Sequence, residues 1–150
     1  VFGKLNIKTG ELVFINAGHE SILTFGENKN YEYIKSDMPP IGIIKYFTES
    51  MVKSNTINLK DKTFVVYTDG VTEGYLKNGE ELGAEGVQKI IKGLTNITPK
   101  IIVDSIAEKL NWGAEKLRDD ITCLALDLKN TELIKQIKKK KVENKEESKT

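Results

Sequence analysis

The sequence predicts an α+β layered fold, and three observations carry that prediction. Through the first half, short apolar runs alternate with polar residues at period two and are separated by turn residues. In the second half the apolar residues recur at helical spacing in two stretches. At 121–128 the chain then returns to alternation, in a strand that must rejoin the earlier ones.

Residues 1–8 and 11–17 read as a hairpin around Lys8-Thr9-Gly10-Glu11, with Gly10 free to take the positive φ of a tight turn. A second pair, 21–26 and 31–35, flanks the turn Glu27-Asn28-Lys29-Asn30, and further strands are expected at 51–58 and 62–68. Between them, MPPIGII carries Pro39, Pro40 and Gly42 and must be a shaped loop. Val87, Ile90, Ile91 and Leu94 predict a short amphipathic helix after Gly83, ending near residues 93–95. A second helix has Thr98 as cap, Pro99 at its first position and Ile102, Val103, Ile106 and Leu110 as its apolar stripe, running to about Gly113. Leu124, Leu126 and Leu128 share one face of the last strand. Residues 1–128 thus form the body, and 129–150, with the run Lys138 to Lys141, a lysine-rich tail with too little to bury to offset the entropy of ordering.

The 150 residues are 39% hydrophobic and 30% charged, which suits one globular domain. With 23 basic against 22 acidic side chains the net charge is +1, so the chain lacks the overall basicity of a generic nucleic-acid binder. No apolar run approaches the roughly 18–20 residues of a membrane span. A single cysteine, Cys123, excludes an internal disulfide framework, and a single histidine, His19, excludes a His-rich metal site. The chain opens at Val1 in what reads as a strand, so it is expected to be a portion cut from a longer protein.

Three stretches hold residues suited to chemistry: NAGHE at 16–20, VYTDGVTEG at 66–74 and RDDIT at 118–122. Asp69 follows the apolar run 64–67 and precedes Gly70, which lets the chain turn sharply, so the acid is expected at the rim of a sheet. Asp119 and Asp120 immediately precede the last strand. If that strand neighbours 62–68, three carboxylates can converge, and mutual repulsion then calls for a hard divalent cation, magnesium or manganese rather than zinc or copper. The alternative is that all three acids belong to exposed turns. His19 is either an acid or phosphoryl-binding group or a hydrogen-bonded structural residue. Cys123 reads as a small buried hydrophobe, Trp112 as packing, and Glu73 as either a supporting acid beside Asp69 or a solvated side chain.

The stretches INAGHES, MPPIGI, LKDKTFVVYTDGVTEGY, ELGAEGV and RDDITCLAL, in that order, resemble the C-terminal part of the metal-dependent protein serine/threonine phosphatases (PPM), in their bacterial SpoIIE-like branch. The resemblance spans about Val1 to Leu128. It implies a β-sandwich flanked by helices, here incomplete at the N-terminus, with a two-metal Mn2+ or Mg2+ centre. Asp69 matches the metal-binding aspartate of the TDG motif and Asp119 that of the late Asp-Asp motif. Gly70, Glu73, Asp120 and His19 become candidates for supporting or substrate-side positions. Two cations polarise phosphoryl oxygens and activate a water, so no protein nucleophile is required. The implied substrate is phosphoserine or phosphothreonine on a small regulatory protein, such as an anti-sigma factor antagonist, in a cytoplasmic signalling pathway. An upstream sensor or receiver domain is implied in the parent chain. Residues 74–83 fall where relatives carry a mobile flap that shapes access, here with Tyr75, Asn78 and Gly79.

Departures from the family pattern set the alternatives. The Asp-x-Ser-Gly-His-Gly motif, whose aspartate bridges the metals, is absent from these residues, so this chain alone is expected to bind metal weakly and turn over poorly or not at all. Lys60-Asp61 replaces the usual Gly-Asp, and Ile41 stands where leucine is common. A non-catalytic protein-binding module of the same fold is the competing expectation. A metal nuclease would share the acids but needs a basic groove, which the balanced charge disfavours.

Overall fold

The computed structural model describes residues 1–36, 38–110 and 119–129. Strands β1 (Phe2–Leu5) and β2 (Glu11–Ile15) form the first expected hairpin, with Phe2 opposite Ile15 and Leu5 opposite Leu12. Its turn is held locally: Asn6 Oδ1 accepts from the backbone N–H groups of Lys8 and Thr9, and Gly10 takes φ +85°. Strands β3 (Ile22–Gly26) and β4 (Tyr31–Ile34) form the second, around Lys29 at φ +53°.

The next two strands, β5 (Asn55–Asn58) and β6 (Lys62–Tyr67), are consecutive in sequence but belong to different sheets. β5 adds to β2, giving the order β1-β2-β5. β6 adds to β3 and pairs on its other side with β7 (Cys123–Leu126), giving β4-β3-β6-β7. The strand expected over 51–58 is shorter at its start. Residues Glu49–Met51 form a 3₁₀ turn in which Met51 N–H and Val52 N–H are consumed by the carbonyls of Thr48 and Glu49, so they are not available to a ladder.

After β6 comes a single helical turn, α1 (Asp69–Thr72), then α2 (Gly83–Gly93) and α3 (Pro99–Lys109). The expected cap of α3 is made: Thr98 Oγ1 accepts from Ile101 N–H at 3.3 Å, and Pro99 opens the helix. The sheets and helices enclose two cores. Between the sheets, Leu12, Phe14, Ile22, Ile57, Leu59 and Phe64 pack together, with Phe14 and Phe64 edge to face at 5.1 Å between centroids. On the other face of the four-stranded sheet, Leu23, Phe25, Val65 and Tyr67 meet Val87, Ile91, Ile102 and Ile106 of the helices. β3 and β6 are therefore covered on both faces, which explains why they read as nearly unbroken apolar runs. Along β7, Cys123 and Ala125 face the helices and Leu126 packs between the sheets, while Leu124 remains 54% exposed.

The loop from Pro39 departs from the sheets as expected, and its Ile41, Ile43 and Tyr46 side chains are exposed. Among the described residues no helix is long and apolar enough to cross a membrane. The tail beyond Lys129, Trp112 and the expected end of α3 near Gly113 lie outside the described residues.

Candidate functional site

The pairing of β6 with β7 brings the two acidic segments side by side at one end of the four-stranded sheet. Beyond the last paired residues, Tyr67 and Cys123, the two chains stay laced together. Thr68 N–H donates to Thr122 O at 3.0 Å, Thr122 N–H donates to Thr68 Oγ1 at 3.0 Å, and that hydroxyl donates to Asp120 O at 3.1 Å. Thr68, which sequence reasoning passed over, is thus the residue that holds Asp69 next to the Asp119-Asp120 pair. A threonine closing an apolar strand just before Asp-Gly was its only sequence signal.

Gly70 serves this juxtaposition in a way the sequence did not reveal. Its φ is not in the left-handed region, so it is not there to permit a sharp turn. A Cβ at this position would instead lie 2.5 Å from Asp120 O and 3.0 Å from Asp120 C. Only glycine lets the α1 backbone approach the Asp120 backbone this closely.

Asp69, Asp119 and Asp120 are all exposed. Asp69 Oδ1 accepts from Gly70 N–H at 3.0 Å, and Asp119 Oδ1 accepts from Asp120 N–H at 2.7 Å. Each of these carboxylates is steadied by the next peptide through one oxygen, which leaves Oδ2 without a protein partner among the described residues. A hard divalent cation takes such oxygens, so both side chains fit as part of an oxygen-only site. The expected convergence of three carboxylates is not realised: among the described residues no group of three or more His, Cys, Asp or Glu side chains could hold a metal ion. The backbones are juxtaposed, but Asp69 and Asp119 each turn onto their own following N–H. Glu73 is exposed just past the turn, its N–H donating to Asp69 O at 2.8 Å.

The segment expected as a flap is a closed loop. Tyr75 bridges Glu81, Leu76 N–H donates to Glu80 O and Leu82 N–H donates to Gly74 O, both at 2.8–2.9 Å. Tyr67 and Cys123, on the helix-facing side beneath the site, both have raised pKa values. Burial acts first on Tyr67, with the nearby Tyr33, Glu20 and Cys123 adding to it, and burial pushes the Cys123 thiol up to about 11. Cys123 is accordingly a packed hydrophobe, as its alternation suggested.

His19 sits in a second well-built loop. Asn16, fully buried, donates from Nδ2 to Glu20 O and accepts His19 N–H on Oδ1, both at 3.1 Å. Ser36 Oγ accepts Gly18 N–H at 2.7 Å and lies 2.9 Å from Asn16 O and 2.7 Å from Met38 O. Gly18 has φ +72°, and a Cβ there would lie 2.1 Å from Pro40 Cγ. The NAGHE and MPPIG stretches, about 20 residues apart in sequence, are therefore one unit. His19 lines a cleft of about 450 Å³ together with Tyr67, Thr68, Thr122 and Leu124.

Comparison with known proteins agrees with this architecture. The Stage II sporulation protein E (SpoIIE) family profile matches residues 1–129. Protein IcfG of Synechocystis sp. is 30% identical over 131 residues, a match covering 83% of this chain and 20% of that protein. The manganese-presoaked phosphatase domain of the cell fate determinant SpoIIE from Bacillus subtilis superposes with a TM-score of 0.60 at 18% identity, covering 86% of this chain and 56% of that one. The RsbU and RsbW domains of Rv1364c from Mycobacterium tuberculosis give a TM-score of 0.57 at 22% identity, covering 83% and 35%. The chain thus spans a fifth of its curated relative and little more than half of the SpoIIE phosphatase domain.

Proposed function

The chain belongs to the SpoIIE family and has the fold of its PP2C phosphatase domains, and from that premise we propose that the protein hydrolyses phosphoserine or phosphothreonine on a small regulatory protein, with Asp69 and Asp119 holding Mn2+ or Mg2+. The observation that carries the proposal is the lacing of Thr68 to Thr122 and Asp120, which presents two exposed carboxylates of the TDG and Asp-Asp motifs from adjacent chains. Bound divalent cations would supply polarisation of the phosphoryl oxygens and a lowered pKa for an attacking water. The chain's own residues hold and orient. Gly70 N–H and Asp120 N–H steady the two carboxylates, and Gly70 keeps their backbones in contact. Manganese as a candidate ion draws support from the presoaked SpoIIE crystal, and a regulatory protein partner from the RsbW domain that accompanies RsbU in the mycobacterial protein. A cytoplasmic location and an upstream sensor or receiver domain belong to the same proposal, as does an anti-sigma antagonist as the substrate.

The test uses the full-length protein, a phosphoserine protein or peptide, and Mn2+ or Mg2+. Phosphate release is expected to require the ion and to fall at least about 100-fold in Asp69→Asn, since loss of a ligand costs no less than loss of the groups that support one. Undiminished release by that variant overturns the proposal. The alternative, a non-catalytic module that binds a regulatory protein, draws on the absence of an Asp-x-Ser-Gly-His-Gly stretch from these 150 residues. It expects partner binding that is indifferent to Asp69→Asn and to chelation.

A further inference from the structure

Thr68 stands in the cap position of α1 and does not act as a cap. A threonine there ordinarily turns its hydroxyl onto the N–H of the second or third helical residue. Here the hydroxyl makes no such bond. It crosses instead to the neighbouring chain, accepting Thr122 N–H at 3.0 Å and donating to Asp120 O at 3.1 Å. Its proton and a lone pair are thus both committed to the segment that carries Asp119.

The ladder explains why a hydroxyl is needed at this point. Val66 stands opposite Leu124 and Tyr67 opposite Cys123, so the next rung pairs Thr68 with Thr122. In an antiparallel sheet a hydrogen-bonded rung exchanges two bonds between its two backbones. One of them is made, from Thr68 N–H to Thr122 O at 3.0 Å. The other is replaced, because Thr68 O accepts Val71 N–H at 2.9 Å, the bond that turns the chain into α1. The hydroxyl takes the place of that carbonyl. The chain can therefore leave the sheet at Asp69 while the segment opposite stays bound to it. Three hydrogen bonds join 68–72 to 119–122 among the described residues, and two of them run through this one oxygen.

The carboxylates of Asp69 and Asp119 each bond to the next N–H of their own chain, so their spacing is set by the two backbones that carry them. A hard divalent cation tolerates little displacement of its carboxylate ligands, Mg2+ least of all. We propose that Thr68 is a positioning residue for the cation: its hydroxyl fixes the Asp119 segment against Asp69 and so sets the affinity of the site. This deepens the phosphatase function proposed above and rests on its assignment of Asp69 and Asp119 as ligands. Asp120 and Thr122 are exposed, so in a variant without the hydroxyl water takes up the freed groups and the fold survives while the spacing relaxes.

The test measures Mn2+ binding to the full-length protein through the electron paramagnetic resonance of the free ion, a readout independent of turnover, with Asp69→Asn defining the binding that belongs to this site. Thr68→Val keeps the shape and removes the hydroxyl, Thr68→Ser keeps the hydroxyl, and Thr98→Ala, which removes the cap of α3, is a destabilised control. The Kd is expected to rise about 10–100-fold in Thr68→Val, the usual effect of losing a group that supports a ligand, and to change by less than about 3-fold in Thr68→Ser and Thr98→Ala. Thr68→Ala is measured beside Thr68→Val and decides the matter if the valine variant does not fold. A rise below about 10-fold in the variants without a hydroxyl, or an equal loss in Thr68→Ser or Thr98→Ala, overturns the proposal. Binding by Asp69→Asn equal to that of the parent defeats the metal assignment itself, whereas its loss there beside an unaffected Thr68→Val defeats only the positioning role.

Discussion

Replacing Gly70 by alanine tests the central claim about the site, that the α1 backbone and the Asp120 backbone touch. The added methyl would lie 2.5 Å from Asp120 O, a backbone atom with no rotamer by which to escape. Relief requires the Asp119–Ile121 segment to shift, which strains the hydroxyl bridge from Thr68 Oγ1 to Asp120 O. Overpacking of this kind costs about 1–3 kcal/mol, and a lost hydrogen bond adds about 1 kcal/mol. The helical preference of alanine over glycine returns at most about 1 kcal/mol. The net expectation is destabilisation by about 1–3 kcal/mol, or a melting temperature lower by about 2–10 °C for a chain of this size. Gly93→Ala is the matched control. Gly93 ends α2, has no heavy atom within 4 Å of its would-be Cβ, and is not at positive φ, so alanine should stabilise by about 0.5–1 kcal/mol. Urea unfolding with an unchanged m value measures both. A Gly70→Ala protein as stable as the parent, beside a Gly93→Ala protein that behaves as expected, would refute the close approach.

Two further outcomes follow from the packing around the sheet. Thr98→Ala removes the acceptor for Ile101 N–H at the start of α3 and should cost about 1 kcal/mol in the same urea assay; no change would show the cap to be idle. Burial raises the Cys123 thiol from 9.0 to about 11, so at pH 8 its thiolate fraction in the folded chain is about 100-fold below that of the unfolded chain. Modification by a thiol reagent should slow correspondingly on folding, and equal rates would contradict the burial. The linked sign is that the unfolded thiol ionises first: the stability contributed by the neutral buried thiol is full below about pH 9 and is lost as pH climbs through about 11.

Much of the molecule was legible because its signals are local. Asn6 through Gly10 set the first hairpin through contacts spanning no more than five residues, and Thr98-Pro99 set the start of α3 through a bond three residues long. The positions of Asp69 and Asp119 beside strand ends followed from apolar runs that stop just before or start just after them. The start of β5 was overestimated because Met51 and Val52 are apolar, yet their N–H groups bond back to Thr48 and Glu49. Alternation records which side chains can share a face, but not whether a partner strand stands opposite.

By itself, then, the sequence determined the strands and the two longer helices, their order along the chain, and which residues carry oxygen and imidazole chemistry, but not the 3₁₀ turn at Glu49–Met51 or the helical turn α1. Tertiary structure alone decided that β5 and β6 part into different sheets, that Gly70 is needed for contact rather than for a turn, and that Ser36 welds the loop of His19 to the Pro39-Pro40 loop. It also decided that Asp69 and Asp119 lie on adjacent chains while their carboxylates bond to their own neighbours. The division has one physical cause. Turns, caps and periodicity are settled by sterics and hydrogen bonds within a few residues. The site depends on contacts such as Thr68 with Asp120 and Gly18 with Ser36, which join residues 52 and 18 positions apart and exist only once both sheets have closed on their cores.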